Sequence, residues 1–137
     1  MKMGKKVPSQ PYSSLEAIGA VLASPRPVSE GTEFTLRKLL VETGTEASEL
    51  FLLDSSGQEM VLSAHAGLFP EAFRQITCFP IGIGFPGLVA ATSQPLFTDS
   101  LGEDRRYLRM EVKRHGFRYY LCLPLMAGNG LLGCLNL

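Results

Sequence analysis

The chain has 137 residues, 45% of them hydrophobic, and its 13 basic and 13 acidic side chains cancel. That length suits one domain with a core of its own, and the absence of net charge leaves no global basic field to attract nucleic acid. No apolar run approaches the roughly 18 residues of a membrane span, and the N-terminus MKMGKKVPSQPYSS has lysines but no apolar stretch behind them, as a secretory signal would need. A cytoplasmic location is therefore expected, without membrane or nucleic-acid contact. Cys78, Cys122 and Cys134 are odd in number and lack C-x-x-C spacing, while His65 and His115 lie far apart. Three reduced thiols, no metal site and no cofactor follow.

Residues 1–14 are polar and punctuated by proline, which predicts a flexible leader ahead of a single domain over 15–137. Leu15, Ile18, Val21 and Leu22 recur at helical spacing before Pro25 and Pro27. A second helix is expected from a Ser29 cap to Gly44, with Leu36, Leu39, Leu40 and Thr43 on one face. Glu49–Asp54 and Glu59–Ala66 read as an antiparallel hairpin around Ser55-Ser56-Gly57-Gln58. Pro70 opens a brief helix through Phe73 and Ile76.

Cys78 to Ser100 is the densest stretch. Phe79 and Ile81 read as a strand, Gly82, Gly84 and Gly87 free the backbone for a tight turn, and Pro86 suits a first helical position. Gln94-Pro95 ends that helix and Leu96-Phe97-Thr98 reads as a short strand. The glycines spell G-x-G-x-x-G, a dinucleotide-binding pattern, but Pro86 to Ser93 is too short for the parallel crossover of about 10–12 residues that the pattern needs. Phe85 and Pro86 also put bulk where a pyrophosphate requires open backbone.

Further on, Leu108 and Val112 predict a helix capped by Asp104 and stopped by Gly116, with Arg105, Arg106, Arg109, Lys113 and Arg114 on a solvated face among interleaved acids. Asn129-Gly130 marks a turn between strands 118–126 and 131–137. Alternation puts Leu121, Leu123, Leu125, Leu135 and Leu137 on an aliphatic side. Tyr120, Cys122, Pro124, Cys134 and Asn136 then form the other, a mixed surface suited to a pocket wall.

From Phe51 to Leu137 several pieces follow one another in a familiar order: Leu52-Leu53-Asp54, Gly82-Ile83-Gly84-Phe85-Pro86-Gly87-Leu88-Val89, Gln94-Pro95-Leu96-Phe97-Thr98-Asp99, Gly116-Phe117-Arg118, Leu123-Pro124-Leu125 and Leu132-Gly133-Cys134-Leu135. Together they resemble a GAF domain, the small-molecule sensory module of signalling proteins. The resemblance implies an α+β fold, profilin- or PAS-like, with an antiparallel sheet of about six strands, helices on one side and a pocket closed by short helices and loops on the other. It further implies a domain that stops before the family's usual C-terminal helix, and a bacterial-type histidine kinase, cyclase or transcriptional regulator supplying the output domain.

No local catalytic motif is present, so an enzyme is not expected, and the resemblance implies a sensor of an unidentified small molecule. The expected ligand-binding residues are Phe79, Ile81, Phe85 and Leu88 from the glycine stretch, Phe97 and Asp99 after it, then Tyr107 and Met110. Tyr120, Cys122, Cys134 and Asn136 complete them from the last hairpin. Free N–H groups near Gly84–Gly87 could hold an anion. Asp104-Arg105-Arg106-Tyr107 stands where bilin-binding members carry their attaching cysteine, which argues against a bilin, and no cyclic-nucleotide signature threads through Gly84 to Gly116. A ligand-free dimerisation scaffold is the alternative. A reductase of free methionine sulfoxide comes after it, because that group's cysteine motifs are missing. A homodimer is expected through the N-terminal helices and the aliphatic side of the sheet.

Overall fold

The computed structural model describes residues 28–137. The leader and the helix carrying Leu15, Ile18, Val21 and Leu22 lie outside the described residues. The first described element, α1 (Val28–Thr43), begins one residue ahead of Ser29 and is held on its outer face by Arg37 reaching back to Glu33 at 2.6 Å. Leu36 is buried, and Gly44, with φ +68°, ends the helix by donating to the Leu40 carbonyl.

Strands β1 (Ala47–Leu53) and β2 (Glu59–Gly67) form the first hairpin. Asp54 organises its turn, because one carboxylate oxygen accepts from the amides of Gln58 and Glu59 and the other from the Ser56 hydroxyl. Then follow α2 (Pro70–Phe73), β3 (Cys78–Pro80), α3 (Gly84–Thr92), β4 (Leu96–Thr98), α4 (Met110–Arg114), β5 (Tyr120–Ala127) and β6 (Gly130–Asn136). The six strands order β3-β2-β1-β6-β5-β4, and every neighbouring pair is antiparallel. This is the α+β architecture that the resemblance implied.

The order explains why the glycine pattern is no dinucleotide site. Strands β3 and β4, which flank α3, occupy opposite edges of the sheet, so no parallel crossover exists. Helix α3 instead lies across the sheet face. Phe85 and Val89 are buried there, with Phe85 packed edge-on against Tyr107 and Tyr120. A flat sheet of six strands would be about 24 Å across, while the nine residues of α3 extend about 13 Å. The sheet must curl to bring its edges to the two ends of the helix.

Three local readings need correction. Helix α3 starts at Gly84, which places Pro86 third and not first, still within the turn where a missing N–H costs nothing. The last hairpin turns on Gly128-Asn129, since Gly130 already pairs with Ala127, and only Gly128 takes positive φ. A glycine at the first central position suits a two-residue turn of this hand. The helix expected over Asp104–Gly116 is only the five residues of α4, with Arg109 at its N-cap. Asp104 is occupied elsewhere: its carboxylate takes two hydrogen bonds from the Arg106 guanidinium and one from the Arg106 amide.

Sheet faces follow the alternation. Glu49, Phe51, Tyr120, Cys122, Cys134 and Asn136 turn toward α3 and α4 and are buried. Helix α1 packs on β1 and β2 from the opposite side, where the Ser48 hydroxyl donates to the Leu36 carbonyl. On that same side Leu121, Leu123, Leu125 and Leu135 are half-buried.

Candidate functional site

A cleft of about 400 Å³ opens at the end of the sheet where β1 and β5 begin and β6 ends. Its apolar wall is Phe73, Leu101, Val112 and Phe117, while Glu49, Tyr120 and Asn136 form its polar floor. Glu46 and Arg118, both exposed, stand at the rim with opposite charges. The size falls within the range of small-molecule sites.

The floor is one hydrogen-bonded chain. Arg109 donates to Glu49 Oε2 at 2.7 Å, the Tyr120 hydroxyl donates to Glu49 Oε1 at 3.0 Å, and Asn136 Nδ2 donates to the Tyr120 oxygen at 2.6 Å. Arg109 and Glu49 are each only 1% exposed. Burial raises the Glu49 carboxyl above its ordinary value, opposed by the Arg109 charge and by donors from Arg109, Tyr120 and Asn136. Tyr120 is likewise pushed far up by burial and then by the neighbouring carboxylate, so it keeps its proton.

Since that single proton goes to Glu49, Asn136 has to present its NH₂ to the tyrosine, which fixes the amide's orientation. Its Oδ1 is then left without a partner. The Arg109 guanidinium sits 5.2 to 5.6 Å from the ring centroids of Phe51, Phe73 and Phe79. Its Nε and Nη2 have no oxygen partner, and the aromatic faces supply what attraction they receive.

The expected ligand-binding residues fall into three places. Phe79, Phe85, Tyr107, Tyr120, Cys122 and Cys134 lie together in the buried core beneath α3, with Ile81 packed against them and Leu88 half-buried. Phe97 at 55% exposure, Met110 at 58% and Asp99 stand at the surface. Tyr120 and Asn136 alone of the twelve line the cleft. The space under the glycine segment is thus filled by side chains, including those of Tyr107 and Tyr120, whose ring centroids are 4.9 Å apart. Gly84 and Gly87 are buried and do not reach the cleft.

Sequence reasoning missed Glu49 and Arg109. Its basic neighbours suggest a solvated face for Arg109, and its burial overturns that expectation. The available signal was Glu49 itself: it keeps the inward phase of Phe51 on a strand, and an inward carboxylate requires a buried partner.

Among the described residues, no group of three or more metal-ligating side chains gathers, and no helix is long and apolar enough to cross a membrane. A family model described as a GAF domain matches residues 26–137. The chain belongs to the GAF family.

Solved GAF structures share its fold. It is similar to the GAF domain of a phosphoenolpyruvate-protein phosphotransferase from Coxiella burnetii, at 25% identity and TM-score 0.73, covering 90% of this chain and 73% of that one. The nlh2 GAF domain of A. aeolicus in an inactive state superposes at TM-score 0.76 with 17% identity, covering 90% and 75%. Free methionine-R-sulfoxide reductase from Neisseria meningitidis, in complex with its substrate, gives TM-score 0.70 and 17% identity over 90% and 68%. No curated protein sequence matches the chain.

Proposed function

We propose that this GAF domain is the sensory module of a bacterial-type signalling or transcription-regulatory protein. It binds a small molecule in the cleft over Glu49, Tyr120 and Asn136 and relays the change through its terminal helices to an output domain. The observation that carries this reading is a cleft of about 400 Å³ whose floor holds a buried, unpartnered acceptor, Asn136 Oδ1. Occupancy would bear on β1, β5, β6, Leu101 and Val112 together, because all of them contribute to its walls. To signal, the ligand must bind one arrangement of those elements better than another.

A thermal-shift screen of amino acids, polyamines, 2-oxo acids and nucleotides tests the reading against a Thr45→Trp variant, in which the added ring fills the cleft. At least one compound should raise the midpoint of the wild-type chain and leave the variant unmoved. If no class shifts the wild type, or if the shift survives the substitution, the cleft is not a sensor site.

Two observations favour a second reading, a dimerisation scaffold: the aromatic filling under α3, and the row of half-buried leucines on β5 and β6. Enzymatic reduction of methionine sulfoxide has less support. Cys122 and Cys134 are fully buried, and the hydrogen bond that the Cys122 thiol donates to Cys134, with burial after it, pushes that thiol far up, away from the thiolate such chemistry needs.

A further inference from the structure

Resting on the sensor reading above, we infer that the ligand of the cleft is a hydrogen-bond donor at its buried end, a primary ammonium group on an apolar body. The polar groups at the floor decide this. Tyr120 is fully engaged, with its proton given to Glu49 and its oxygen taken by Asn136 Nδ2. What remains on offer is acceptor capacity: Asn136 Oδ1, buried and unpartnered, and the further lone pairs of the Glu49 carboxylate. An ammonium has three donors and no acceptor, so it satisfies both groups at once.

An anionic head is the competing chemistry, because Arg109 has two unpartnered nitrogens. Arg109, however, is not part of the cleft wall, and the rings of Phe51, Phe73 and Phe79 surround its guanidinium. A carboxylate at the floor of the cleft would face the Glu49 carboxylate and the unpartnered Asn136 Oδ1, both of which repel it. At the rim Glu46 and Arg118 oppose each other in sign, so selection is left to the floor. The apolar body packs on Phe73, Leu101, Val112 and Phe117.

The experiment compares matched probes on the 137-residue chain by ¹⁵N-resolved titration, with phenethylamine as donor and 3-phenylpropanoate as anion of similar length. Phenethylamine should shift the Asn136 side-chain amide and bind about tenfold or more tightly than the carboxylate, the factor expected for a charged hydrogen bond in a buried site. Asn136→Leu, which removes the Oδ1 acceptor, should abolish the preference. Should the leucine variant not fold, the wild-type comparison decides alone. If 3-phenylpropanoate binds as well or better, the donor inference falls while the cleft survives as a site. If neither probe moves resonances at the cleft, both the inference and the sensor reading fall.

Discussion

Arg109 and Glu49 form an ion pair where either charge alone would be strongly disfavoured, and this makes their variants non-additive. Arg109→Met leaves a buried carboxylate with one hydrogen-bond donor fewer, and should cost about 3–5 kcal/mol in urea unfolding. Adding Glu49→Leu should restore much of the loss instead of deepening it, because the uncompensated charge goes too. A double variant weaker than the sum of the singles would show that Glu49 does more for the fold than balance Arg109. His65 supplies a pH dependence of its own. Burial first, then the charges of Arg74 and Arg109, lower its folded value from 6.5 to about 4. Its neutral form is therefore the one the fold favours, and the associated stability is present above pH 6.5 and lost as pH falls toward 4. Urea midpoints at pH 7.5 and 5 should differ for the wild type and differ less for His65→Gln, in a window above most carboxylate titration. Equal pH sensitivity in both chains would exclude His65 as the cause. The role of Arg109 is hidden in the sequence, because it shares its run with four other basic residues and its partner lies 60 positions away.

Helix α3 and the strands it crosses show which elements composition can specify. The hairpins were legible because alternation and turn residues are local, so β1–β2 and β5–β6 came within a residue or two of their observed bounds. The segment Asp104–Gly116 was not, because its apparent helix cap is used by Arg106 and its buried anchor is an arginine. Two glycines are set by neighbouring backbone and not by turn geometry. A Cβ at Gly87 would lie 2.2 Å from the Pro80 carbonyl oxygen, and one at Gly133 only 2.0 Å from that of Phe51. Gly87→Ala and Gly133→Ala should each destabilise by about 1–3 kcal/mol or more, since backbone cannot rotate out of the way as a side chain can. Gly102, with open space around its Cβ direction and no positive φ, should accept alanine within about 0.5 kcal/mol. Thermal midpoints of the three variants check the contrast, and a silent Gly87→Ala would mean that α3 can shift along the sheet.

At the scale of the whole molecule, the sheet has two unequal faces. One is closed by α3, α4 and the loop between β4 and α4; the other carries α1 over β1 and β2 and leaves Leu121, Leu123, Leu125 and Leu135 half-buried. If the scaffold reading holds, association uses that second face, and Leu123→Lys should turn a sedimenting dimer into a monomer at micromolar concentration. A wild-type monomer defeats it. Both faces were legible from the phase of β5 and β6, but the cleft was not, because it is made where distant segments meet end-on. The charge pair beneath that cleft also bears on how the chain reaches its fold. Arg109 and Glu49 belong to opposite halves of the described chain, 60 positions apart, so their pairing is a long-range contact and shedding their water is expected late in folding. Replacing both with apolar residues removes that late barrier, and the double variant should both refold and unfold faster than the wild type in stopped-flow, with little net gain in stability.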